Sequence, residues 1–141
     1  MTDYAYNYLN HYQGGRDKVL FGEFAQDKYV QGIRNFDNLS VKDLKYLINN
    51  GYVDTLRKFN NSPTIQIIFD YMNKYKYYFA KGFAIWRYRD DYGIYITGLK
   101  KCSEFKINKQ EAEDFQKTFN NAEQLIIGDY ELFCSFDFND N

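Results

Sequence analysis

The stretch that decides the fold class is Gly82-Phe83-Ala84-Ile85-Trp86-Arg87-Tyr88-Arg89-Asp90-Asp91-Tyr92-Gly93-Ile94-Tyr95-Ile96-Thr97-Gly98-Leu99. Its apolar residues recur with period two. Gly82 to Arg89 and Tyr92 to Leu99 therefore predict a hairpin around Asp90-Asp91-Tyr92-Gly93. An even-length loop puts Phe83 and Ile85 on one face with Ile94 and Ile96, which is then the core face. Trp86 and Tyr88 share the opposite face with Tyr95. An odd-length loop would exchange these partnerships.

Downstream, Leu125 to Ile127 and Tyr130 to Phe138 predict a second hairpin about Gly128-Asp129. Tyr130, Leu132, Cys134, Phe136 and Phe138 alternate with Glu131, Ser135 and Asp137. That pattern turns Cys134 inward. Between the hairpins, Asn108 and Glu111 form a capping-box pattern. Ala112, Phe115, Phe119 and Ala122 then make an apolar helical stripe.

Upstream, Ser40 is an N-cap with Asp43 three residues on. Val41, Leu44, Leu47 and Ile48 share one face of that helix, and Gly51 supplies a left-handed terminus. Ser62-Pro63 opens another helix, with Ile65, Ile68, Phe69 and Met72 as its core stripe. The first forty residues read least clearly. Tyr4, Tyr6 and Tyr8 alternate like a strand, whereas Tyr4, Tyr8 and Tyr12 share a helix face. Gly14-Gly15 ends this segment. A helix from Asp17 would use Leu20, Phe21, Phe24 and Ile33, with Gly22 and Gly32 opposing it.

The prediction is an α+β fold. Helices pack on a small antiparallel sheet built from two hairpins, in the order α-α-α-ββ-α-ββ, within a single domain spanning 1–141. The N-terminal region stays open. A chain of 141 residues buries about two-thirds of its unfolded surface, so it needs no metal or disulfide to fold.

Composition narrows the function classes. The formal net charge of -1 argues against a generic polyanion binder. Met1-Thr2-Asp3-Tyr4 has no basic start and no apolar core, so no signal peptide is expected. No apolar run approaches the length of a membrane span. Cys102 and Cys134 are then expected to be reduced thiols of a cytoplasmic protein. Aromatic residues make up 21% of the chain. Asn, Lys, Tyr, Phe and Ile are abundant while Ala and Pro are scarce. These are the effects of A/T-rich codons, as in low-GC bacteria and their phages.

Motifs for chemistry are sparse. There is no CxxC, HExxH or Walker loop, so neither cofactor nor metal is expected. His11 is the only histidine and stands apart from any nucleophile signature. Asp91 followed by Glu104-Phe105-Lys106 imitates the spacing of a metal-dependent nuclease core, which needs these groups on adjacent strands. Helices near 41–49 and 63–75 before the 82–99 hairpin imitate a winged helix, with Arg87 and Arg89 on the wing. The long connection from Asn50 to Asn61 opposes that reading. So does the absence of basic residues from Thr64 to Asn73.

The most distinctive surface candidate is basic and aromatic. Lys74, Lys76 and Lys81 lead into Trp86, Arg87, Tyr88 and Arg89, with Tyr92 and Tyr95 on the return strand. Residues 74–109 hold nine Lys or Arg against three Asp or Glu, and residues 123–141 hold five acids and no base. The expectation is a non-enzymatic binding protein with a protein partner on this hairpin, since Trp, Tyr and Arg dominate binding hot spots. Nucleic-acid binding through the same face or a winged helix is the alternative. A hydrolase using Asp91, Glu104 and Lys106 is the third.

Overall fold

A computed structural model describes residues 3–23 and 25–136, with the side chains of 3–11 left aside. The expectations for His11, Phe24, Asp137 and Phe138 concern side chains outside the described residues. The fold is α+β. Helix α1 (Asp3–Phe21) is followed by a short 3-10 turn (Gln26–Lys28) and strand β1 (Ile33–Ser40). Next come α2 (Val41–Asn49), α3 (Ile65–Lys74), β2 (Phe79–Ile85), β3 (Gly93–Cys102), α4 (Lys109–Thr118), β4 (Gln124–Ile127) and β5 (Glu131–Ser135). The sheet is antiparallel with spatial order β1-β2-β3-β5-β4. It therefore has five strands rather than the four of two hairpins.

The additional strand is β1. It pairs Phe36 with Gly82 and Leu39 with Ala80, and its register shifts between them. This bulge spaces the inward residues Phe36 and Leu39 three apart, so the period of two is broken. Helix α1 corrects a second expectation. It runs through Gly14-Gly15 and ends at Phe21, where Gly22 takes a φ of +79°. Ile33 belongs to β1 and not to this helix. A Cβ on Gly15 would stand 2.1 Å from the Tyr52 hydroxyl. The glycine thus lets the helix approach the segment after α2, at the usual cost in helix propensity.

The two middle helices form as their caps dictate. Ser40 Oγ accepts from the Asp43 N–H at 3.2 Å, and α2 buries Leu44 and Leu47. For α3 the cap is Thr64, whose side chain accepts from the Ile67 N–H. Ser62 lies further upstream, where its Oγ accepts from the Phe59 N–H at 2.9 Å. In α4, Asn108 caps through the Gln110 N–H at 2.8 Å. Glu111 does not close a capping box. It is buried and accepts from the Tyr78 hydroxyl and Lys101 Nζ.

The core lies on one face of the sheet. Leu44, Leu47, Ile65, Ile68, Met72, Phe115 and Phe119 of the helical layer meet Phe36, Ala80, Ile94, Ile96, Leu99, Leu132 and Cys134 of the sheet. The two thiols are unbonded, with Cys134 buried and Cys102 exposed. Among the described residues, no helix is long and apolar enough to cross a membrane.

Candidate interaction surface

The central hairpin differs from its prediction in loop length. Its strands are Phe79–Ile85 and Gly93–Cys102, so residues 86–92 form the connection. Seven residues make an odd loop. Phe83 consequently pairs with Tyr95, and Ala84 with Ile94. Phe83 therefore leaves the core face and stacks on Tyr95, with ring centroids 5.1 Å apart.

A buried polar network holds the loop in place. Arg16 Nη1 donates to the carbonyls of Ile85 at 2.9 Å and Gly93 at 3.3 Å, the residues on either side of the loop. Asp17 pairs with Arg16 at 3.2 Å and accepts from the Tyr29 hydroxyl. Gln13 Oε1 accepts from the Arg87 N–H at 2.8 Å, and Gln13 Nε2 donates to Asp17. Burial, with Asp17 adding to it and Arg16 opposing it, pushes the Tyr29 hydroxyl pKa well up. A helix that looks featureless in sequence thus clamps the hairpin through a polar face.

The loop residues of the expected site divide by environment. Trp86 is half-buried and meets Tyr88 edge-on at 5.6 Å. Arg87 is buried, its guanidinium 4.4 Å from the Tyr88 ring centroid. Tyr88 is exposed. Arg89 donates twice to Asp91, at 2.9 and 2.8 Å, and to the Gln31 carbonyl at 3.0 Å. The Arg89 hydrogen bonds hold the Asp91 carboxyl below the usual range. Tyr92 sits edge-on to Tyr12 at 5.4 Å. With Tyr52, Asp54, Arg57 and Asp90 these rings line a cleft of about 280 Å³. Arg57 is already engaged there, donating to the Tyr92 carbonyl at 3.0 Å and lying 4.8 Å from the Tyr95 ring centroid.

Lys81 and Tyr95 belong to a different place, the second face of the sheet. Alternation and register put Phe79, Lys81, Phe83, Tyr95, Lys100 and Phe133 on this face. Gly98 makes room for the lysine stem, since a Cβ there would stand 2.5 Å from Lys81 Cε. Lys81 Nζ is 5.6 Å from the Phe133 ring centroid. Phe79 and Ile126 are exposed. Phe59, from the connection after α2, packs edge-on against Phe83 at 5.5 Å. Among the described residues, no helix covers this face.

The residues that sequence reasoning missed are Phe79, Phe133 and Lys100. Phe133 carried a signal: it interrupts the polar, outward series of Glu131 and Ser135 with an aromatic ring.

Two motif readings fail on geometry. Asp91 and Glu104 lie beyond opposite ends of β3, a ten-residue strand of about 33 Å. They cannot share a metal with Lys106. Among the described residues, no group of three or more His, Cys, Asp or Glu stands where it could hold one. The winged-helix reading fails because β2 and β3 are inner strands, flanked by β1 and β5. A wing must be free to reach a groove.

No family model matches the chain, and no curated protein or solved structure matches it.

Proposed function

We propose that the chain is a non-enzymatic accessory protein that binds another protein through the second face of its sheet. One observation carries this reading. The helices pack on one face, while the other carries the exposed Phe79 and the half-buried Phe83, Tyr95 and Phe133, with Lys81 and Lys100 among them. An antiparallel sheet with a solvated face ordinarily turns polar residues outward. Aromatic residues there are the composition of an interface core, and the lysine stems extend its apolar area. The unbonded thiols suit a reducing compartment and hence the cytoplasm. A source among low-GC bacteria or their phages rests on composition alone.

A second reading has its own support. Aromatic rings and lysines on an open antiparallel sheet are also a stacking platform for unpaired bases. The arginines weigh against it. Arg87 is buried and Arg89 is committed to Asp91, so neither extends the face towards phosphates.

The test is co-purification of the tagged chain from its source cell, with and without nuclease, beside a Phe79→Ser/Phe133→Ser variant of verified fold. The proposal expects a protein that survives nuclease and is lost with the variant. Nucleic acid alone, or a protein retained equally by the variant, would contradict it.

A further inference from the structure

Tyr77 stands between two tyrosines that are tied down. Tyr75 donates to Asp114 of α4, and Tyr78 is buried against Glu111. To place both, the backbone at Tyr77 takes a φ of +74°, the left-handed region that favours glycine. The turn accounts for the φ but not for the residue. Glycine would make the same turn without strain, and asparagine with less. The ring gains little from the protein in return, since Tyr77 is 80% exposed.

This ring borders a groove of about 420 Å³ lined by Ser40, Val41, Lys42, Lys76, Tyr77, Tyr78 and Phe79. That is within the size range of sites for small ligand groups. Its walls are Val41 and the aromatic rings. Its charges are Lys42 and Lys76, both exposed, with no carboxylate in the lining. Lys76 Nζ donates to the Asn73 carbonyl at 3.1 Å, a neutral acceptor that leaves its charge uncompensated. Phe79 belongs both to this groove and to the second face of the sheet, so the two surfaces are continuous.

We propose that this groove receives an acidic segment of the protein partner, with an apolar side chain seated between Tyr77, Val41 and Phe79 and carboxylates beside Lys42 and Lys76. The proposal rests on the protein-binding reading and names the partner's chemistry. Charge complementarity carries the choice of occupant. A protein segment is favoured over nucleic acid because the groove offers two lysines on apolar walls and no arginine fork for phosphate. The ring at position 77 acts as the exposed anchor, which binding would cover.

The experiment selects twelve-residue random peptides on the immobilised full chain, then measures the selected peptides against variants by fluorescence anisotropy. The expected winners carry Asp or Glu around Leu, Ile or Phe. Tyr77→Gly, which keeps the turn, is expected to weaken them at least tenfold. Lys42→Glu/Lys76→Glu is expected to weaken them at least as much, and added salt should weaken the wild-type complex. Leu56→Ser, at an exposed residue outside both surfaces, should leave the peptides bound. Enrichment of basic or uncharged peptides would overturn the proposal. So would a failure to enrich any sequence, winners that bind Tyr77→Gly unchanged, or displacement of the winners by a thymidine oligomer at equal concentration. Any of these results leaves the sheet-face reading to its own co-purification test, so the two fail separately.

Discussion

The Tyr78 hydroxyl donates to Glu111 Oε2 at 2.6 Å. This contact joins the entrance to β2 with the first turn of α4, and Lys101 Nζ of β3 donates to the same oxygen at 2.8 Å. Tyr71 and Tyr78 hydroxyls stand 2.8 Å apart. The approach to β2 and strand β3 therefore converge on one buried carboxylate of α4. Removing it leaves the part-buried Lys101 ammonium and the buried Tyr78 hydroxyl without their acceptor, while Tyr71 keeps the Tyr78 hydroxyl and the Glu111 carbonyl. Glu111→Ala is expected to cost about 3–5 kcal/mol, as for breaking a buried charge pair. Glu111→Gln should cost less, about 1–3 kcal/mol. Urea unfolding followed by circular dichroism measures both, and equal costs would show that the charge is immaterial.

The same cluster sets the alkaline limit of stability. Burial, and then the hydrogen bond to Glu111, push the Tyr78 hydroxyl well above its ordinary 10.0. Burial does the same for Tyr71. The folded chain holds these protons more tightly than the unfolded chain does. Their contribution is thus whole below pH 10 and is lost as the pH rises beyond it. Unfolding free energy should fall above about pH 10, and Tyr78→Phe should make that fall shallower. An unchanged slope would contradict the assignment.

Tyr77→Gly separates fold from function. Relief of the left-handed strain is expected to stabilise the chain by about 1 kcal/mol, less the entropy that glycine adds to the unfolded state. Thermal unfolding of the variant against wild type reads the sign. A loss of several degrees would mean that the ring supports the fold.

Burial raises the Cys134 thiol to about 12, whereas Cys102 is exposed. A thiol-specific chromogenic reagent should therefore titrate one group per native chain and a second only in denaturant. Two fast-reacting groups in the native chain would mean that the core opens around β5.

Much of this architecture was legible in the sequence, and the failures have physical causes. The Ser40 cap and the stripe from Val41 to Ile48 sufficed for α2, because its buried face is apolar. Helix α1 was obscured because its buried positions include Gln13, Arg16 and Asp17, which read as a solvated face. Its two glycines imitated an end. β1 was hidden by the bulge between Phe36 and Leu39. The expected binding residues were scattered by parity. An odd loop moved Phe83 to the face of Tyr95 and left Trp86 through Tyr92 in the connection. Lys81 and Tyr95 were legible as surface residues, but their aromatic neighbours Phe79 and Phe133 come from pairings that period alone does not reveal.

The central claim is that the second face of the sheet, and not the outer side of the helical layer, meets the partner. Placing a photo-crosslinking amino acid at position Phe133, and separately at position Tyr46 on the exposed side of α2, tests it in the source cell. The account predicts one discrete protein adduct from position 133 and none of that mass from position 46. An adduct from position 46 alone, or no adduct from position 133, would contradict it.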